Sequence, residues 1–134
     1  MANVSAYLAK AHLDWALGGA APPSAPGTRA VGLSLGAPTS VSGSEMATNS
    51  GYTRKTAGFA AAASPAGSAT INTAITFGPF STAYSITGLQ IWDTLGVAVD
   101  AGKMLWYGNL ATARTVASGD SLVVASGALT VSLA

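Results

Sequence analysis

Charge is scarce in this sequence. Six basic and five acidic residues are all that 134 positions carry, 8% of the chain, where an ordinary soluble domain has about a quarter of its residues charged. Surface charge of both signs keeps a domain from adhering to its neighbours. With a net charge of +1 and a mean hydropathy of +0.42, a free monomer sits near the condition that favours association. The composition describes a surface meant to be covered by other protein.

Other absences narrow the function further. Cysteine is missing, which excludes a cystine framework and a thiolate metal site. The apolar stretches are only a handful of residues long, far short of the ~20 that a membrane-spanning helix needs, so no membrane partner is expected. The N-terminus lacks the basic stretch, continuous apolar core and small-residue cleavage site of a secretory signal, and none is expected. Apart from Arg54-Lys55, the basic residues stand singly. No stripe follows a phosphate backbone, and nucleic acid is not an expected partner.

The length suits one domain with a sizeable core. From Val4 to Leu17 the apolar residues Val4, Tyr7, Leu8, Ala11 and Trp15 recur at helical spacing on one face. Asn3 or Ser5 is placed to cap the start, and Gly18-Gly19 to end the helix in a left-handed turn. Residues 20–27, Ala-Ala-Pro-Pro-Ser-Ala-Pro-Gly, then break regular structure, because proline lacks an amide donor and restricts the residue before it. The expected organisation is a helical arm over 1–19, a Pro/Gly linker over 20–29 and a β domain over 30–134.

Within the β domain the period becomes two. In Ala30–Leu35, Val31, Leu33 and Leu35 alternate with Ala30, Gly32 and Ser34, the pattern of a half-buried strand. Residues 36–51 are nearly all small or turn-forming and predict a long surface loop. Tyr52–Thr56 reads as a short polar strand, and 57–69, rich in alanine, as loop with some strand. Thr70–Phe77 predicts one strand with β-branched residues on both faces. In Ser85–Asp93 the apolar phase slips at Gly88, where a β-bulge is expected. Lys103–Leu110 is apolar on both faces, as for a central strand or one facing a partner. The chain ends in an echo, residues 117–124 and then 125–131, each a turn followed by a strand. Six or more short strands with one leading helix predict a mainly β fold: a jelly roll or β-sandwich with one short N-terminal amphipathic helix.

The residues of chemistry are few. His12 is the single histidine, lies beside the apolar face of the helix, and cannot form a relay alone; no G-x-S-x-G elbow accompanies it. The carboxylates Asp14, Glu45, Asp93, Asp100 and Asp120 are widely spaced and form no calcium-loop cluster, and Asp93 and Asp120 read as turn residues. No phosphate-binding glycine loop precedes a helix. No enzymatic activity, metal or cofactor is therefore expected. Trp92, Trp106, Tyr84 and Tyr107 lie inside apolar strands, where core packing is their expected use.

Candidate partner contacts fall instead on Tyr7, His12 and Trp15 of the helix and on the basic pair Arg54 and Lys55. Trp15 ends the apolar face beside the linker and can dock on its own domain or on a neighbouring subunit. The basic pair reads as a solvated edge that discourages strand addition, or else as a contact for an acidic partner. Substitution of Trp15, Arg54 and Lys55 is expected to weaken attachment while preserving the fold.

Laid out in order, several segments resemble a family of small tailed-bacteriophage virion proteins labelled capsid cement, head decoration or tail-fibre-like proteins. The carriers are the helix Tyr7–Trp15, Val31–Thr39, Gly51-Tyr-Thr-Arg54, Ile75-Thr-Phe77, Leu89-Gln-Ile-Trp-Asp93, Leu105–Leu110, Thr115–Leu122 and Gly127–Leu133. Tyr84-Ser-Ile-Thr-Gly88 departs from the pattern, where a tryptophan-glycine turn leading into a more polar strand is expected. The resemblance implies a jelly-roll-like cement or decoration protein, made in the host cytoplasm, that sits outside an icosahedral head and bridges copies of the major capsid protein. A homo-oligomer, dimer or trimer, is expected as well. A tail or fibre component that touches the host surface is the alternative.

Overall fold

The computed structural model describes residues 3–22, 24–25, 27–48, 51–65, 67–96 and 98–133. Residues 1 and 2 of the expected arm, Pro23 and Pro26 of the linker, Asn49 and Ser50 of the long loop, Ala66 of the alanine-rich stretch and Ala134 lie outside them.

The chain opens with a two-residue strand, β1 (Asn3–Val4), and one helix, α1 (Ala6–Ala16). Ser5 between them is the N-cap: its Oγ accepts from the Leu8 amide and donates to the Met104 carbonyl. One side chain therefore both starts the helix and ties it to the β domain. Gly18, at φ 79°, ends it in the left-handed turn that glycine adopts without steric cost.

The strands that follow are β2 (Ala30–Ser34), β3 (Lys55–Thr56), β4 (Ser68–Thr70), β5 (Ile75–Phe77), β6 (Tyr84–Trp92), β7 (Met104–Val116), β8 (Leu122–Val124) and β9 (Thr130–Ser132). A five-stranded sheet has the order β1-β7-β6-β2-β3, and the pairs β4-β9 and β5-β8 form two small sheets. The sheet pairings are antiparallel. The result is a β-sandwich whose core joins Val31, Leu33, Ile86 and Ile91 of the large sheet to Ile71, Phe77, Phe80 and Val131 of the opposite layer.

Three local expectations change in three dimensions. Thr70–Phe77 is two strands, not one, because the chain changes partner within it: Thr70 pairs with Thr130 of β9, whereas Ile75 pairs with Val124 of β8. Strand β2 is buried on both faces instead of one. The expected surface loop 36–51 is the cause, since Pro38, Gly43, Glu45 and Met46 are buried. Residues 44–46 close the outer edge of β2 beyond the reach of β3, through Leu35 N to Ser44 O and Met46 N to Leu33 O. The slip at Gly88 is a bulge, and the extra residues belong to β7: Ile86 opposes Arg114 while Gly88 opposes Asn109.

The terminal echo folds as its repeat predicts. Gly119 and Gly127 take the same left-handed turn, at φ 86° and 82°, ahead of β8 and β9. In the first copy Asp120 accepts from the Ala117 amide, the turn role expected of it.

Candidate interaction site

The five predicted contact residues do not form one surface. The expected arm is pinned at its root: Asn3 and Val4 pair with Tyr107 and Trp106 of β7, Ser5 N donates to Leu105 O, Ala6 N donates to Ser40 O, and Leu8 is buried in the core. What projects is the far end, where Trp15 is 50% and Leu17 82% exposed. Tyr7 lies nearer the root, half exposed, with Lys103 Nζ 5.4 Å from its ring centroid. His12 is partly buried and lines a depression with Tyr7, Arg29, Asp93 and Trp106. Lys55, partly buried, occupies the short edge strand β3.

Arg54 departs from the solvated-edge reading. It is only 4% exposed. Its Nε donates to Glu45 Oε1 and its Nη2 to Glu45 Oε2, both at 2.6 Å, and its Nη1 donates to the carbonyls of Thr94 and Ala101 at 3.0 and 2.7 Å. The guanidinium carbon stands 4.0 Å from the centroid of the Trp92 ring. The planar fork of arginine suits this combination of bidentate carboxylate, two carbonyls and an aromatic face. Arg54 is thereby spent inside the subunit and is not available to an acidic partner.

Glu45 is equally committed. Besides Arg54, it accepts from the Tyr52 hydroxyl at 2.8 Å and from the Asp100 amide at 2.7 Å. Tyr52 in turn accepts from the Leu33 amide at 3.1 Å. Burial, and then the Glu45 carboxylate beside it, hold the Tyr52 phenol far above the ordinary tyrosine range. Next to this cluster Gln90 donates to Ser34 Oγ and to the Gly43 carbonyl, and the Trp92 indole donates to Gln90 Oε1. The network fastens the 36–48 loop and the 93–102 loop to the sheet. Ser44 and Asp100, which flank it on the two loops, adopt left-handed backbone at φ 49° and 55°, a conformation that a non-glycine residue holds only when its surroundings impose it.

Sequence reasoning overlooked Glu45, Tyr52, Gln90 and Trp92 as one cluster. The available signal was a lone carboxylate in a run of small residues with a lone tyrosine and arginine shortly after it. It also overlooked Leu13 and Leu17, which lie off the apolar stripe but four residues apart, on one side of the helix. Both are exposed.

Exposed apolar residues and an open groove therefore remain as candidate contact surface. Two depressions lined by Trp106 run along the side of the sandwich between β6–β7 and the opposite layer, and a third, also touched by Trp106, lies between α1, the 24–29 segment and β7. Four of the five carboxylates are engaged within the subunit: Asp14 pairs with Lys10 on the helix surface, Asp93 Oδ1 accepts from the Lys103 amide, and Asp120 and Glu45 are held as described above.

Residues 3–132 match the family described as "Podophage GP4 fiber I protein gp80". The chain belongs to that family and is a structural bacteriophage virion protein of the fibre-like kind. No curated protein matches it.

Proposed function

We propose that this chain is a non-enzymatic subunit of a fibre on the virion surface, attached to the particle as a homo-oligomer. The observation that carries the reading is the family match over residues 3–132. It is supported by the scarcity of charge and by the exposed end of α1. Contacts repeated between copies add their binding energy to the assembled form alone, so each one need contribute little. The loop network supports the non-enzymatic part: the buried carboxylate, arginine and tyrosine satisfy one another and none is left poised to exchange a proton with a substrate.

A cement or decoration role on the capsid exterior, bridging major capsid proteins, is the second reading. The low charge favours it, because a shell-bound subunit is covered over much of its surface.

Partition of purified phage particles into heads and tails, with mass-spectrometric copy counting, tests both. The expected result is a small number of copies per particle in the tail fraction. A copy number near that of the major capsid protein, in the head fraction, transfers the chain to the cement role. Absence from particles overturns both.

A further inference from the structure

Among the described residues, much of the last turn of α1 is left uncovered by its own subunit. Leu13, Trp15, Ala16 and Leu17 are all exposed. Because successive residues turn by 100°, Leu13 and Trp15 lie on nearly opposite sides of the helix, so apolar residues flank the turn on both sides, with Asp14 between them. Exposed apolar residues gathered at one place in this way mark a surface that other protein covers. Gly18 to Ala21 continue the segment without charge and are exposed. Its one carboxylate, Asp14, is held by Lys10 across an exposed turn, a contact of little energy. The last turn also has no basic residue to complement the negative end of the helix dipole.

The open side of the sandwich is its counterpart. The middle depression has a volume of about 400 Å³. Its walls include Phe59, the run Ala60 to Ala62, Val131 and Leu133, and among the described residues Arg29 is the one charged residue lining it. Arg29 is exposed and, among the described residues, forms no ion pair. Trp106, which also lines the groove, has a buried indole N–H with no acceptor among the described residues, a condition that buried donors seldom keep.

We infer that the apolar end of α1 from a second copy of this chain docks in this groove, with Asp14 and the helix C-terminus facing Arg29. The knob carries one carboxylate and an uncompensated negative dipole end; the groove carries one cation. Within one subunit the knob stands exposed and the groove stands open. Contact between unlike surfaces of identical chains is head-to-tail, and such contacts close into a ring or continue as a filament. The inference concerns how copies meet one another and does not depend on where the assembly attaches to the virion.

Sedimentation velocity on the full chain over a concentration series tests it. Wild type is expected to associate as concentration rises. Leu17→Glu on the knob and Ala61→Glu on the groove wall, both at exposed positions, are each expected to remain monomeric with unchanged thermal unfolding. An equimolar mixture of the two is expected to give a discrete heterodimer, because one variant retains the groove and the other the knob. Asp14→Arg and Arg29→Asp are each expected to weaken association by about tenfold, and their combination to restore it. A wild type that stays monomeric, association that both glutamate variants retain, or a mixture that yields no heterodimer overturns the inference.

Discussion

Arg54 and Glu45 meet as a bidentate pair, Nε to Oε1 and Nη2 to Oε2, with each side chain only 1% exposed. Nine residues separate them in the chain, but the pair does more than close that interval. Through the Thr94 and Ala101 carbonyls and the Asp100 amide it joins the loop that follows β2 to the loop that follows β6. An ion pair out of water contributes little net stability against an apolar replacement, yet removing one partner leaves a buried charge without compensation.

Arg54→Ala and Glu45→Gln are therefore expected to destabilise the fold by about 3–5 kcal/mol, measured by urea unfolding followed through tryptophan fluorescence. Arg54→Lys is expected to recover only part of the loss, because an ammonium group cannot reproduce the fork and the two carbonyl contacts together. A wild-type midpoint for Arg54→Lys would show that charge alone suffices.

Tyr52 makes stability depend on pH in the alkaline range. Its phenol titrates higher in the folded chain than in the unfolded one, so above the unfolded tyrosine value of about 10 the folded state holds a proton that the unfolded state has released. The stabilisation is complete below that value and is lost as pH rises towards the folded value. Tyr52→Phe is expected to cost about 1–3 kcal/mol at neutral pH, leaving the Leu33 amide and the Glu45 carboxylate each short of a partner. It is also expected to flatten the fall in stability above pH ~10. Urea midpoints collected across the alkaline range, parallel for the two proteins, would remove Tyr52 as the source of the slope.

Gly32 is required by close approach. A Cβ there would lie 2.6 Å from Gln90 Oε1 and 2.8 Å from the Tyr52 oxygen. Gly32→Ala is expected to cost about 1–3 kcal/mol, whereas Gly27→Ala, whose added methyl meets nothing within 4 Å, is expected to be neutral or slightly stabilising. Thermal unfolding of the two side by side checks the contrast, and equal midpoints would refute it.

Much of the architecture was legible locally. The helical stripe, Ser5 as cap, Gly18 as terminator, the slip at Gly88 and the two turn-strand units near the end all rest on interactions within a few residues, and periodicity and turn chemistry report such interactions directly. Arg54 was misread because a basic pair in a short polar strand has the local pattern of a solvated edge. The burial of its side chain comes from segments about forty residues further on. The end of α1 was only half legible: Trp15 belonged to the expected stripe, but Leu13 and Leu17 became significant only once the β domain was seen to leave that turn uncovered.

By itself the sequence determined the class of molecule: a charge-poor, mainly β chain with one leading helix. Tertiary structure decided which polar residues are structural and which apolar ones remain free. It buried β2 beneath a loop that locally reads as solvent-exposed, divided Thr70–Phe77 between two partners, and left a groove open beside Trp106. The reason is physical. Periodicity states that a side must be covered, but the neighbour that covers it, or that neutralises a buried charge, is brought there by contacts such as Glu45 to Asp100, 55 residues apart, which no local pattern encodes.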